Sequence, residues 1–274
     1  MPITLPLLPP RMYGLLRRLS WVALVSAALN NAQATPWDDL RGGLFNEAHH
    51  TFSKEAEAAG KADQRGLRFG EAVALLNIQP RTQSNIDKAY ALLEDVRTAA
   101  PGDDLGIESR YLQGRIEQVQ RSTPDPVKAE AIFSELVQQH PAHPIGQRAR
   151  VKLAVLRLYA KTDAAERRRR YDDFTSGAGE LSDPGAKVQM HLLLADVAQR
   201  FNYGNEEELA HMLAADQVGV IKRSLQVQVL VRVGDLARLT GKNAMARTYY
   251  TRFLEQFPRT DRRSTIEGYL AALN

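Results

Sequence analysis

Residues 230–258 read LVRVGDLARLTGKNAMARTYYTRFLEQFP, and this stretch decides the fold. Within it, Ala246, Tyr250 and Pro258 place a small residue, a bulky residue and a proline at intervals of 4 and 8 residues. The same pattern occurs twice earlier, at Ala89, Leu93 and Pro101 and again at Ala129, Phe133 and Pro141. The earlier two copies start 40 residues apart, and the third starts 117 residues later, which is close to three periods of about 39. Repetition at this length predicts helical hairpins stacked in series.

The chemistry of these positions explains why a helical hairpin would use them. Gly234 would let two helices approach closely, and Gly241 would supply the turn between them. Ala246 would pack where the helices nearly touch, and Tyr250 would fill the groove towards the next hairpin. Pro258 would end the second helix, because proline has no backbone N–H for a helix interior.

This hairpin resembles a tetratricopeptide repeat (TPR). The matching positions are Leu230, Gly234, Gly241, Ala246, Tyr250, Leu254 and Pro258. The resemblance extends, mainly in rhythm, over most of residues 65–258 as about five hairpins, although Gly114 in the hairpin at 104–141 is out of step. It implies an all-α, right-handed α-solenoid of TPR-like hairpins with an N-terminal helix and a C-terminal capping helix. A globular bundle of helices is the rival architecture.

Helical periodicity and break signals divide the rest of the chain. The four parts are a signal peptide, an N-terminal segment with a helix, the repeat array and a capping helix, at residues 1–34, 35–64, 65–258 and 259–274. Apolar residues at intervals of 3 and 4 predict one helix from Leu40 to Gly60. Asp125 is expected to cap a helix that Pro126 begins, and Asp261 is expected to cap the last helix.

The amino end has the features of a secretory leader. Three arginines precede the apolar run 21–29, and Ala32-Gln33-Ala34 follows as a small-residue cleavage site. A bilayer span needs ~20 apolar residues, so a retained anchor is the less favoured alternative, beside an amphipathic first helix. We expect cleavage after Ala34, and Met12 is an alternative start. The mature chain is therefore predicted to be periplasmic or extracellular.

Charge and cysteine content narrow the function further. The formal net charge is +4, but the first 34 residues hold three arginines and no acid, so the remaining chain carries only +1. This gives no strong electrostatic reason to expect nucleic acid as a partner. The chain has no cysteine, which excludes disulfides, thiolate metal sites and a lipid-attachment cysteine. The composite resembles exported bacterial TPR proteins of cell-envelope assembly, but lacks the lipid attachment of their lipoprotein members.

Polar stripes on the first helices of two hairpins are the candidate binding residues. They are Arg110, Gln113, Glu117 and Gln120 in one hairpin and Gln228, Asp235 and Arg238 in the last. In TPR arrays the first helices line the inner surface, so the resemblance implies that these stripes line a groove for a peptide or a partner protein. A solvated face of an amphipathic helix explains each residue equally well.

Other candidate chemistry is sparse. His49-His50 and the pair His140 and His143 lack the converging ligands that a metal needs, and no metal or cofactor is expected. The run Arg167–Arg170 either binds phosphate or is a solvated helix with acids nearby. No recognised catalytic motif is present, so an enzyme is not expected.

Two alternatives to a groove-binding scaffold remain open. One is a structural component of an envelope complex that associates with itself. Phe253 beside Tyr249 and Tyr250 would favour it if these residues formed an exposed apolar surface. The other is an α-helical enzyme that cleaves cell-wall glycans.

Overall fold

The fold is given by a computed structural model that describes residues 35–220 and 222–273. Within this part the chain forms 13 α-helices and no strand. The helices are α1 Pro36–Gly42, α2 Phe45–Ala58, α3 Lys61–Asn77, α4 Gln83–Ala99, α5 Asp104–Arg115, α6 Pro126–Gln139, α7 Pro144–Tyr159, α8 Ala164–Ser176, α9 Pro184–Arg200, α10 Asn205–Val218, α11 Arg223–Leu239, α12 Asn243–Gln256 and α13 Arg263–Ala272. A π-helical turn, Ile116–Gln120, continues α5. The predicted signal peptide and its cleavage site lie outside the described residues.

Helix starts recur at the period seen in the sequence. Asp103, His143 and Asp183 lie 40 residues apart and are the N-caps of α5, α7 and α9. Each side chain accepts a hydrogen bond from a backbone N–H in the first turn, which satisfies a donor that has no partner inside the helix. Asp125 caps α6 with Pro126 as its first residue, as predicted.

Consecutive helices form five antiparallel hairpins, which are α3–α4, α5–α6, α7–α8, α9–α10 and α11–α12. Each first helix is also in backbone contact with the first helix of the next hairpin, from α3 to α5, α7 and α9. The second helices α4, α6, α8 and α10 make no such contacts with one another. A row of hairpins whose helices lie closer together on one side curves towards that side. We therefore call α3, α5, α7 and α9 the inner layer, and α4, α6, α8 and α10 the outer layer.

The apolar residues are buried in a series of clusters along the described chain. One cluster joins α1 to α3, the next joins α3 to α5, and a large one runs from α5 to α9. A further cluster joins α10 to α11, and the last joins α11 to α13. A globular bundle would have one shared centre instead. The structure is thus an all-α solenoid, as predicted, with α1 and α2 before the five hairpins and α13 after them.

Paired glycine and aromatic residues allow close contacts between the two helices of a hairpin. A Cβ added to Gly234 would lie 2.4 Å from Cε1 of Tyr250, so the ring occupies the space that a side chain would need. Gly114 has the same relation to Phe133, where a Cβ would lie 2.6 Å from Cε1. The sequence separation is 19 residues in this pair and 16 in the other, and the π-helical turn and its loop absorb the difference. Gly114 therefore occupies the same position relative to Phe133 as Gly234 does relative to Tyr250, although its spacing in the sequence is different.

Three local predictions are wrong. The helix predicted from Leu40 to Gly60 is two helices, because Gly43 adopts a φ of +80° that ends α1. Asp261 does not cap α13, which begins at Arg263 without a side-chain cap. Phe253 is fully buried in the cluster between α11 and α13, so it offers no apolar surface for self-association.

Candidate functional site

The predicted stripe on α5 faces the outer layer. Gln113, Glu117 and Gln120 are buried, and Arg110 is partly buried. Nε of Arg110 donates to Oε2 of Glu135 on α6 at 3.0 Å. Nε2 of Gln113 donates to Glu94 on α4, and Glu117 accepts from Arg121 and Lys128. Arg110 and Glu117 therefore join the two helices of their own hairpin, and Gln113 joins this hairpin to the preceding one. Partner binding by this stripe stays a prediction.

The predicted stripe on α11 has one residue in solvent and two that contact α12 and α13 at the end of the array. Gln228 is exposed. Asp235 accepts a hydrogen bond of 2.6 Å from the hydroxyl of Tyr250, and the guanidinium of Arg238 lies 4.6 Å from the ring centre of Tyr269. The ring centres of Tyr250 and Tyr269 on α13 also lie 5.8 Å apart, so Tyr250 fills the groove towards α13 as predicted. Only Gln228 of this stripe is freely available to a partner.

The opposite face of α5 belongs to the inner surface. Glu108, Tyr111 and Arg115 lie about 170° around the helix from the stripe that contacts α4 and α6. Arg148 on α7 follows Glu108 by 40 residues, and Lys152 lies one turn further along α7. All five side chains are partly buried, and α5 contacts α7 directly. We call Glu108, Tyr111, Arg115, Arg148 and Lys152 the inner cluster.

The charges of the inner cluster are only partly compensated. Neither Glu108 nor Lys152 makes a hydrogen bond or an ion pair with another described residue. Arg148 acts electrostatically on Glu108 and lies 3.7 Å from Oδ2 of Asp183. Arg115 donates to Gln118, which is neutral, and has no carboxylate partner in the described chain. Arg115 and Lys152 are thus two neighbouring cations without a counter-ion.

Partial burial shifts the protonation of the cluster towards its neutral forms. Burial raises the pKa of Glu108 to about 7, with Arg148 opposing the shift and Asp104 adding to it. Burial lowers the pKa of Lys152 to about 8, and the positive charge of Arg115 lowers it further. Near pH 7, Glu108 is therefore about half neutral while Lys152 keeps most of its charge. The inner face between α5 and α7 is net positive.

No direct sequence signal marks this cluster. Glu108 and Arg115 are single charged residues beside apolar positions, and Tyr111 falls among the apolar residues of α5. The one available clue is the 40-residue spacing of Glu108 and Arg148, which places charged residues at the same height on successive first helices.

The arginine run on α8 has partners within the fold. Arg167 donates to the carbonyl oxygens of Leu158 in the last turn of α7 and of Thr162 in the connection that follows. Arg168 donates to Glu207 on α10, and Arg170 donates to Glu166. The run therefore connects α8 to its neighbours, and this competes with the alternative of a phosphate site.

The histidines singled out in the sequence have local contacts. His49 lies 3.5 Å from Oε1 of Glu71, and His143 caps α7. Within residues 35–220 and 222–273, no three potential ligands converge on a point where a metal could bind. In the same part of the chain, every helix is too short or too polar to span a bilayer.

Comparison with solved structures finds a likeness to a TPR protein. No protein-family model matches the sequence, and no curated protein matches it either. A thermophilic TPR protein from Thermus thermophilus matches with a TM-score of 0.44 and 16% identity, over 76% of this chain and 98% of that one. The score is low, so the TPR-like assignment depends on the serial hairpins and glycine–aromatic pairs described above. A solenoid of this kind has an extended surface along its stacked helices, and repeat proteins use such surfaces for binding.

Proposed function

We propose that the protein is a scaffold that binds an acidic segment of a partner protein along its inner face. The observation that carries this proposal is the cation pair Arg115 and Lys152, which lies on two inner helices without a carboxylate partner. A carboxylate from a partner would supply the missing counter-ion. It would also offset the repulsion from Arg115, which adds to the effect of burial in lowering the pKa of Lys152.

Partial burial makes this pair more effective than cations on an open surface. An ion pair in bulk solvent is weak because water and salt screen it, whereas a half-buried pair is screened less. Most other cations of the array already have partners, such as Arg232 with Glu208 and Arg252 with Asp216. The inner helices continue on both sides of α5 and α7, so an extended segment can cross the site.

The proposal is tested with two short synthetic peptides labelled with fluorescein, one rich in glutamate and one with glutamine at the same positions. Fluorescence anisotropy measures their binding to the full mature chain. We expect the glutamate peptide to bind, with an affinity that falls as salt rises. The double variant Arg115→Gln with Lys152→Gln should weaken binding by roughly tenfold to a hundredfold, because a charged hydrogen bond is lost.

A matched variant controls for net charge. Lys54→Gln with Lys161→Gln removes the same two charges from exposed positions outside the inner cluster. It should leave the affinity close to that of the wild type. Equal losses in the two double variants would show non-specific attraction and would refute the inner site. Binding of the glutamine peptide with the same affinity would refute an acidic partner.

We also propose that the chain is exported and serves the cell envelope. The support is the leader pattern of residues 1–34, with its basic flank, short apolar run and Ala32-Gln33-Ala34 site. Sequencing the amino terminus of the protein recovered from its native cell tests the export. Thr35 as the first residue is expected, and an uncleaved chain in the cytoplasm would contradict it.

A further inference from the structure

Two buried histidines face each other between α9 and α10. His191 is 9% exposed and His211 is 7% exposed. Their Nδ1 atoms lie 3.2 Å apart, and their ring centres are 5.5 Å apart. At this distance one Nδ1–H donates to the other Nδ1, which requires that the accepting ring carries no proton on that nitrogen. The pair therefore fits the neutral state of both rings.

The contacts of His211 extend the pair to the preceding hairpin. Its Nε2 lies 3.5 Å from Oγ1 of Thr175, and its ring meets that of Tyr171 edge-on at 5.8 Å. Both contact residues belong to α8. The histidine pair thus lies at the junction where α8, α9 and α10 meet, between the third and fourth hairpins.

The charged groups around the pair do not compensate two protonated rings. Lys187 on α9 repels a charge on His191, and Glu207 on α10 attracts a charge on His211. Glu207 is already bonded to Arg168 of α8, and the adjacent Glu208 is bonded to Arg232 of α11. In the described chain, α7 and α11 contribute no other charged group that acts on either ring.

We propose that His191 and His211 form an acid-sensitive joint, in which protonation of both rings separates α10 from α8 and α9. A first proton can be placed on an outer ring nitrogen while the Nδ1–H to Nδ1 bond is kept. A second proton would leave two N–H donors facing each other at 3.2 Å. The rings must then move apart, and the fourth hairpin loses its fixed position on the third.

The direction of the pH response follows from the pKa shifts. Burial lowers the pKa of both rings, and that of His211 falls to about 4 from an ordinary value of 6.5. The open joint therefore takes up protons that the closed joint excludes, so the closed joint is fully stable above pH 6.5 and weakens as the pH falls towards 4. At pH 5, the shift of His211 alone raises the opening equilibrium by about 30-fold relative to pH 7.5.

Hydrogen exchange on the full chain, read by mass spectrometry, tests the joint. After correction for the intrinsic effect of pH on exchange, amides of α8 and α10 should exchange about 30-fold faster at pH 5 than at pH 7.5. The variant His211→Asn keeps a polar amide near Nδ1 but does not titrate, and it should lose this pH dependence. His50→Asn, at an exposed position, is the control and should keep it.

A second measurement needs no variant of the pair. Proton NMR of the histidine rings in the wild-type chain should show His211 titrating well below the ordinary value of 6.5. If His211 titrates near 6.5, or if protection of α8 and α10 is the same at both pH values, the joint does not exist. A pH response that His211→Asn retains in full would also overturn the proposal.

Discussion

Replacing Phe133 by alanine tests whether stability is local, as a serial array requires. Phe133 is fully buried on α6, where its ring covers Gly114 of α5 and lies 5.8 Å from the ring of Tyr111. Truncation of a buried phenylalanine leaves a cavity and costs 3–5 kcal/mol, so we expect a loss of about 4 kcal/mol. That loss corresponds to about a thousandfold increase in local opening.

Hydrogen exchange by mass spectrometry shows where the loss falls. In an array, each hairpin contacts only its neighbours, so α5, α6 and α7 should lose protection while α11, α12 and α13 keep theirs. Tyr250→Ala is the reciprocal variant, because Tyr250 lies in a different apolar cluster. This variant should lower the exchange protection of α11, α12 and α13 and leave that of α5, α6 and α7 unchanged. A uniform loss over all described helices in both variants would refute serial packing.

The remaining predictions concern close packing and the inner cluster. Gly234→Ala should lower the free energy of unfolding in urea by about 1–3 kcal/mol, because the new Cβ meets the ring of Tyr250, and no loss would contradict the close approach. Gly268→Ala is the matched control, since its Cβ meets nothing within 4 Å, and it should stabilise α13 by up to about 1 kcal/mol. Glu108→Gln should raise the free energy of unfolding at pH 8 by about 1–2 kcal/mol, allowing for partial exposure, and by less at pH 5. The sign follows because the folded pKa of about 7 exceeds the ordinary 4.5, so wild-type stability falls as the pH rises through that interval. An equal effect at both pH values would show that the ionisation of Glu108 has no part in it.

The repeat architecture was predictable because its signals are local and periodic. A small residue opposite a ring, as in Ala246 with Tyr250, and caps such as Asp125 with Pro126 depend on a few neighbouring residues. Their recurrence defines the hairpins. The break at Gly43 was missed because the apolar periodicity continues across it, while only a left-handed φ reveals the turn.

The inner cluster was not predictable because it depends on how hairpins face one another. Helical periodicity shows that Arg110, Gln113 and Glu117 share a face, but it does not show whether that face meets solvent or the next helix. Here the polar stripe is bonded to α4 and α6, and the face that carries Glu108 and Arg115 turns inwards. The direction of that face is set by contacts between residues of different hairpins, which no local pattern contains.

Site-specific photo-crosslinking tests most directly whether the inner face is the binding surface. The photoreactive residue p-benzoylphenylalanine replaces Tyr111 in the inner cluster or, as a control, exposed Ala131 on α6 of the outer layer. The account predicts that the glutamate-rich peptide crosslinks at position 111 and not at position 131, and that excess unlabelled peptide abolishes the product. Crosslinking at position 131 alone, or equally at both positions, would contradict it.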